Sequence, residues 1–204
     1  MRPLQRIIRG FAGGVVALTF FTIWCADSAE PQAVDPIAQG RKALDAEKVD
    51  EAIATFEKAV AADPKNPAVL AWLGSAQVQK ARSAPVFDRP GWVKKGFNTL
   101  DEAVELFPGA YIVYMVRGIT ATQVPDMFKK APVAVKDLNT VVAMREKKPE
   151  AVPDSVMPSV YLHLGTAYKK NGQIAEARAI WEKGKNAYPQ APEARAMEKE
   201  LRGL

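Results

Sequence analysis

Cysteine is almost missing from this chain. Cys25 is the only one in 204 residues, so the rest of the sequence cannot form an internal disulfide, even in an oxidising compartment. Histidine is equally scarce, and His163 stands alone. With no second histidine and no cysteine beside it, the usual zinc ligand sets are excluded. A Ser-His-Asp arrangement is formally open, but no nucleophile-elbow motif accompanies it. There is no P-loop, and the Gly13-Gly14 pair falls inside an apolar N-terminal run. The acidic residues are scattered as solvated faces are. The expectation is a non-enzyme, with no catalytic residue, no metal and no cofactor. His163 reads as a structural or groove-edge residue.

Long runs of one charge are missing too. The net charge is +5, but lysines come as separate doublets, Lys94-Lys95, Lys129-Lys130 and Lys169-Lys170. No block of five or six like charges forms a basic arm, so no nucleic-acid partner is expected. With 48% hydrophobic and 25% charged residues, the balance is that of one ordinary globular domain. The chain is not rich in Gly, Ser or Gln, which argues against long disorder.

The N-terminus differs in kind. Arg2, Arg6 and Arg9 precede "GFAGGVVALTFFTIWCA" at residues 10–26, which is uncharged, and the first acid is Asp27. Arginines followed by an apolar run are the first two regions of an export signal. The run is short against the roughly 20 residues of a comfortable membrane span. Three fates stay open: cleavage near Ala26-Asp27-Ser28, retention as an anchor, and lipidation at Cys25, where Trp24 occupies a place that favours a small residue. In all three the arginines stay on the cytoplasmic side and the remainder lies beyond the membrane. The expected division is residues 1–29 as signal or anchor and residues 30–204 as an exported, periplasmic or otherwise extracytoplasmic domain. Membrane contact is then confined to the N-terminal segment, if it is retained.

The most regular stretch is "YLHLGTAYKKNGQIAEARAIWEKGKNAYP", Tyr161 to Pro189. Tyr161, Leu164, Gly165 and Tyr168 share one helical face. Asn171-Gly172 breaks that helix. A second face follows with Ala177, Trp181 and Gly184, closed by Pro189. Ala52, Phe56, Ala59 and Pro64 repeat this second spacing, with Gly40 standing to Ala52 as Gly165 stands to Ala177. Leu70, Leu73 and Gly74 open another copy, completed by Gly96, Leu100, Ala103 and Pro108. Tyr114 and Gly118 open a further one, completed by Ala134, Leu138 and Val141. The marker glycines Gly40, Gly74, Gly118 and Gly165 are 34, 44 and 47 residues apart. The excess predicts loop insertions near 83–92, 123–132 and 147–155, the first in "SAPVFDRPGW", whose prolines and glycine argue against helix. Asp154 or Ser155 is placed to cap the helix after the third insertion. After Pro189, "APEARAMEKELRGL" reads as a polar capping helix.

This pattern resembles the tetratricopeptide repeat over roughly residues 33–202, with the copy at 161–189 matching at all eight marker positions. The resemblance implies an all-α solenoid of about four antiparallel helix pairs with a C-terminal capping helix. It also implies a right-handed superhelix with a concave groove. In this family ligands meet the groove face of each first helix. Those positions here are Arg41 and Asp45, Ser75 and Gln79, Gln123, and Thr166, Lys169 and Lys170. The version that clamps a terminal carboxylate uses a Lys and Asn pair, where this chain has Ile37 and Arg41. Phe87 and Trp92, in the first insertion, are candidate loop anchors. Arg117 stands where the family prefers Leu, and Asp101 or Glu102 is its expected partner. The implied function is a non-catalytic scaffold or adaptor that holds a protein or peptide of the cell envelope. The alternative is a small-ligand-binding or transporter-associated periplasmic repeat protein.

Overall fold

The computed structural model describes residues 35–204. The expected export segment, 1–29 with Cys25, lies outside the described residues. Among the described residues are nine α-helices: α1 (Pro36–Asp45), α2 (Val49–Ala62), α3 (Pro67–Lys80), α4 (Arg89–Leu106), α5 (Tyr111–Gln123), α6 (Ala131–Lys147), α7 (Met157–Lys170), α8 (Ile174–Ala187) and α9 (Pro192–Arg202). Short 3-10 turns at Asp126–Phe128, Pro149–Ala151 and Asp154–Val156 fill two of the longer connections. None of these helices is long and apolar enough to cross a membrane.

Proline starts helices here more than it breaks them. Six of the nine carry it in the first turn, where its missing N–H has no helical partner to lose. Asp35 and Asn66 add side-chain caps, accepting from Ile37 N at 2.9 Å and from Ala68 N at 3.1 Å. This corrects the first insertion. The expected loop near 83–92 ends at Asp88, because Pro90 sits in the first turn of α4 and the helix absorbs Gly91 and Trp92. The cap expected for α7 is also absent. Val156 precedes that helix with no side-chain bond, while the Asp154 carboxylate accepts from Arg145 at 2.7 Å and from the Tyr188 hydroxyl at 2.8 Å. Those bonds, and the fully buried Val152, fasten the third insertion to α6 and to the residue that follows α8.

The helices pair as α1/α2, α3/α4, α5/α6 and α7/α8, and α9 covers α7 and α8. Each marker glycine lies where its partner helix crosses. A Cβ on Gly40 would collide with the Phe56 ring, one on Gly165 with the Trp181 indole, and one on Gly118 with Leu138. Gly74 and Gly96 face each other, each against the other's carbonyl oxygen. Phe56, Leu100, Leu138 and Trp181 are fully buried at these crossings. Burial of each such large apolar side chain contributes roughly 1.5–3 kcal/mol. The core is built as two clusters, one under α1–α3 and one from α3 to α9, both touched by Val60, Trp72 and Trp92.

Between hairpins, the first helices form a continuous row: α1 on α3, α3 on α5, α5 on α7, α7 on α9. The second helices form no comparable row. A solenoid whose one layer packs more closely bends toward that layer, so the first helices line the inner face.

Candidate functional site

The inner face is built from residues near the marker glycines of the first helices. On α1, the Arg41 guanidinium lies 5.0 Å from the Trp72 ring centroid on α3, a cation–π contact. Between α3 and α5 a depression is lined by Trp72, Ser75, Gln79, Met115, Ile119 and Gln123. Trp72 and Ile119 are half-buried, packed against the core on one side and lining the depression on the other. The floor is fixed by polar bonds. Thr120 donates to the Ser75 hydroxyl at 3.0 Å. Further along, the Thr122 hydroxyl donates to Ile119 O at 2.7 Å. It therefore accepts from His163 at 3.0 Å, which sets the proton on Nδ1. Burial pushes the His163 pKa below the usual imidazole value, with Glu193 acting in the opposite sense.

The structure brings some expected site residues together and separates others. Arg41, Gln79 and Gln123 stay on the inner face, and Asp45 is exposed near the end of α1. Ser75 is buried and already bonded, so it supports the floor rather than meeting a ligand. Thr166 turns its hydroxyl to Leu162 O on its own helix, at 3.0 Å. Lys169 pairs with Glu200 of α9 at 2.9 Å and lies 5.8 Å from the Trp181 ring centroid. Lys170 reaches the second insertion, 3.0 Å from Val124 O and 3.2 Å from Asp126. The expected set of groove cations thus does not assemble, because two of its three members are bound elsewhere. Phe87 is 97% exposed on its loop. Trp92 is not a loop residue. It lies in α4, packs on both core clusters, and holds Lys95 at 5.1 Å.

Trp72, Met115 and Ile119 are not in the expected set. Met115 and Ile119 stand three residues before and one after Gly118, the offsets that face the groove, but as apolar residues they read as core. Arg117 does pair with Asp101, at 2.8 Å. Its main partner is Asp137, fully buried on α6, held by two bonds of 2.7 and 2.8 Å. Burial raises the Asp137 carboxyl, opposed by Arg117. Among the described residues no group of three or more His, Cys, Asp or Glu could share a metal ion.

Stacked helical hairpins, a polar closing helix and a lined inner face define a helical-repeat protein of the α-solenoid class. Residues 43–84 and 159–191 match models of the tetratricopeptide repeat. The first match runs from α1 into the loop after α3, and the second takes in α7 and α8. The chain thus contains tetratricopeptide repeats, shown over these two stretches. TTC0263, a thermophilic TPR protein of Thermus thermophilus, is similar in structure at a TM-score of 0.69, with 20% identity over 86% of this chain and 84% of that one. A mutant of MamA is similar at 0.52, with 23% identity over 79% of this chain and 81% of that one. At such identities the likeness is one of fold. No curated protein matches the chain.

Proposed function

We propose that this protein is a non-catalytic scaffold that binds a protein or peptide along its inner face. The observation that carries the reading is the inner-face depression to which Trp72 and Ile119 contribute half-buried apolar surface, with Gln79 and Gln123 in its lining and Arg41 over the Trp72 ring. A pre-ordered row of helices lowers the ordering cost of docking, since only the ligand loses freedom. The arginines and apolar run of residues 1–26 support export, so the partner belongs to the cell envelope.

Ile119→Arg tests the groove. The residue is half-buried at the border of core and depression, so a long cation there fills the depression, and the melting temperature separates lost binding from lost packing. The full-length chain serves as bait on a solubilised envelope fraction, beside Ile119→Arg and the exposed outer-helix control Lys58→Glu. A partner recovered by wild type and control but at least tenfold less by Ile119→Arg, with unchanged melting, is the expected result. Equal recovery by Ile119→Arg removes the groove reading. A C-terminal reporter enzyme active only beyond the cytoplasmic membrane tests export, and an inactive, fully folded reporter refutes it.

A further inference from the structure

A second concavity adjoins the groove. Where α3 ends and α4 begins, a cleft of about 180 Å³ is walled by Val78, Ala81, Val93, Val124 and Phe128. Arg82 and Arg89 stand at its mouth. Gln79 and Gln123 line both this cleft and the inner-face depression, so the two form one surface that passes over a pair of carboxamides. The cleft owes its existence to the insertions. Val124, Pro125 and Phe128 come from the connection before α6, and Arg82 from the one before α4.

The charges at the mouth are available. Arg89 donates its Nε–H to Ala84 O at 3.1 Å and keeps its terminal amino groups. Among the described residues neither arginine is within ion-pair distance of a carboxylate. Asp126, the acid nearest in the second insertion, is held by Lys170, and Asp45 and Glu47 line a separate depression that Arg82 borders. A guanidinium pairs best with a carboxylate, in bidentate fashion. A carboxamide offers one donor face and one acceptor face, which suits an extended peptide backbone.

We propose that the ligand is an extended peptide in which a Leu- or Phe-sized side chain lies within two residues of Asp or Glu. The apolar side chain enters the cleft, the carboxylate meets Arg82 and Arg89, and Gln79 and Gln123 bond the backbone between cleft and groove. This rests on the groove reading and adds a sequence preference to it.

The test uses the full-length chain on arrays of 12-residue peptides, randomised outside two programmed positions. One position carries Leu, Phe or Ala, and the other Glu, Ser or Lys. Highest retention on Leu or Phe with Glu is expected. Arg82→Glu/Arg89→Glu should lower that signal at least tenfold and raise the Lys-bearing one, with an unchanged circular dichroism spectrum. Retention that Ile119→Arg abolishes, but that shows no acid preference and no response to the arginine swap, overturns the cleft proposal and leaves the groove reading standing. No retention on any peptide overturns the cleft proposal and leaves the groove reading to the envelope capture. Flotation with phosphatidylglycerol vesicles runs in parallel, because Phe87 and Met127, 97% and 78% exposed, stand on the same two loops. Vesicle binding lost in Phe87→Ser/Met127→Ser, without peptide retention, overturns the proposal in favour of a lipid surface.

Discussion

His163 joins α7 to α5 through one bond, and its chemistry follows from the Thr122 hydroxyl. That hydroxyl gives its hydrogen to Ile119 O, so it can only accept from the ring. The neutral Nδ1–H imidazole satisfies this arrangement, and burial disfavours the charged form. The folded pKa therefore lies below the unfolded value of about 6.5. Stability from this group is present in full above the unfolded pKa, and is lost as pH falls from there through the lowered value. Urea midpoints are expected to drop between pH 7.5 and 5.5, with a smaller drop in His163→Gln. Because the chain has one histidine, its imidazole NMR signal reports the pKa without ambiguity. Titration at or above 6.5 would refute the account. At this scale the sequence is partly readable. It offers Asp101 as a partner for Arg117, but Asp137 looks like any solvated acid until α6 folds over it. Lys169 and Lys170 look like groove cations because their partners, Glu200 and Asp126, are distant in the chain.

At the scale of elements, Arg117 joins three helices, reaching Asp101 on α4 and Asp137 on α6 from its own place on α5. It replaces the Leu that the repeat prefers, so an ionic contact takes over a hydrophobic one. Removing only the arginine leaves a buried carboxylate unpaired, which costs about 3–5 kcal/mol. Replacing both charges with apolar residues of similar volume is often neutral or stabilising. Arg117→Leu is therefore expected to lower the urea midpoint sharply, and Arg117→Leu/Asp137→Leu to recover most of the loss. A single variant as stable as wild type would show that the pair is not needed to dock the third hairpin. The helices themselves are legible from their marker residues. Their starts are less so, because a proline breaks a helix interior but opens a first turn, and only the fold tells which applies. The letters around Pro90 suggest the first, and it acts in the second way.

Across residues 35–204, the repeat is the easiest feature to read, because each crossing demands a small residue opposite a large one at fixed spacing. The inner face is harder, since an apolar groove residue and a core residue look alike in a string of letters. The architecture also predicts how stability is distributed. In a solenoid each hairpin contacts its neighbours, and an end needs a cap with a polar outer face. Here α9 buries Ala194 and Met197 against the last hairpin, with the Met197 sulfur beside Gly184. Met197→Ala removes a fully buried side chain, a loss of about 2–5 kcal/mol. That loss should fall unevenly, because the cluster under α1–α3 contains no residue of α7, α8 or α9. Native-state hydrogen exchange should show faster amide opening in α7, α8 and α9, with α1 and α2 unchanged. Equal acceleration throughout would instead mean that Trp72, Val60 and Trp92, which touch both clusters, couple them into one cooperative unit.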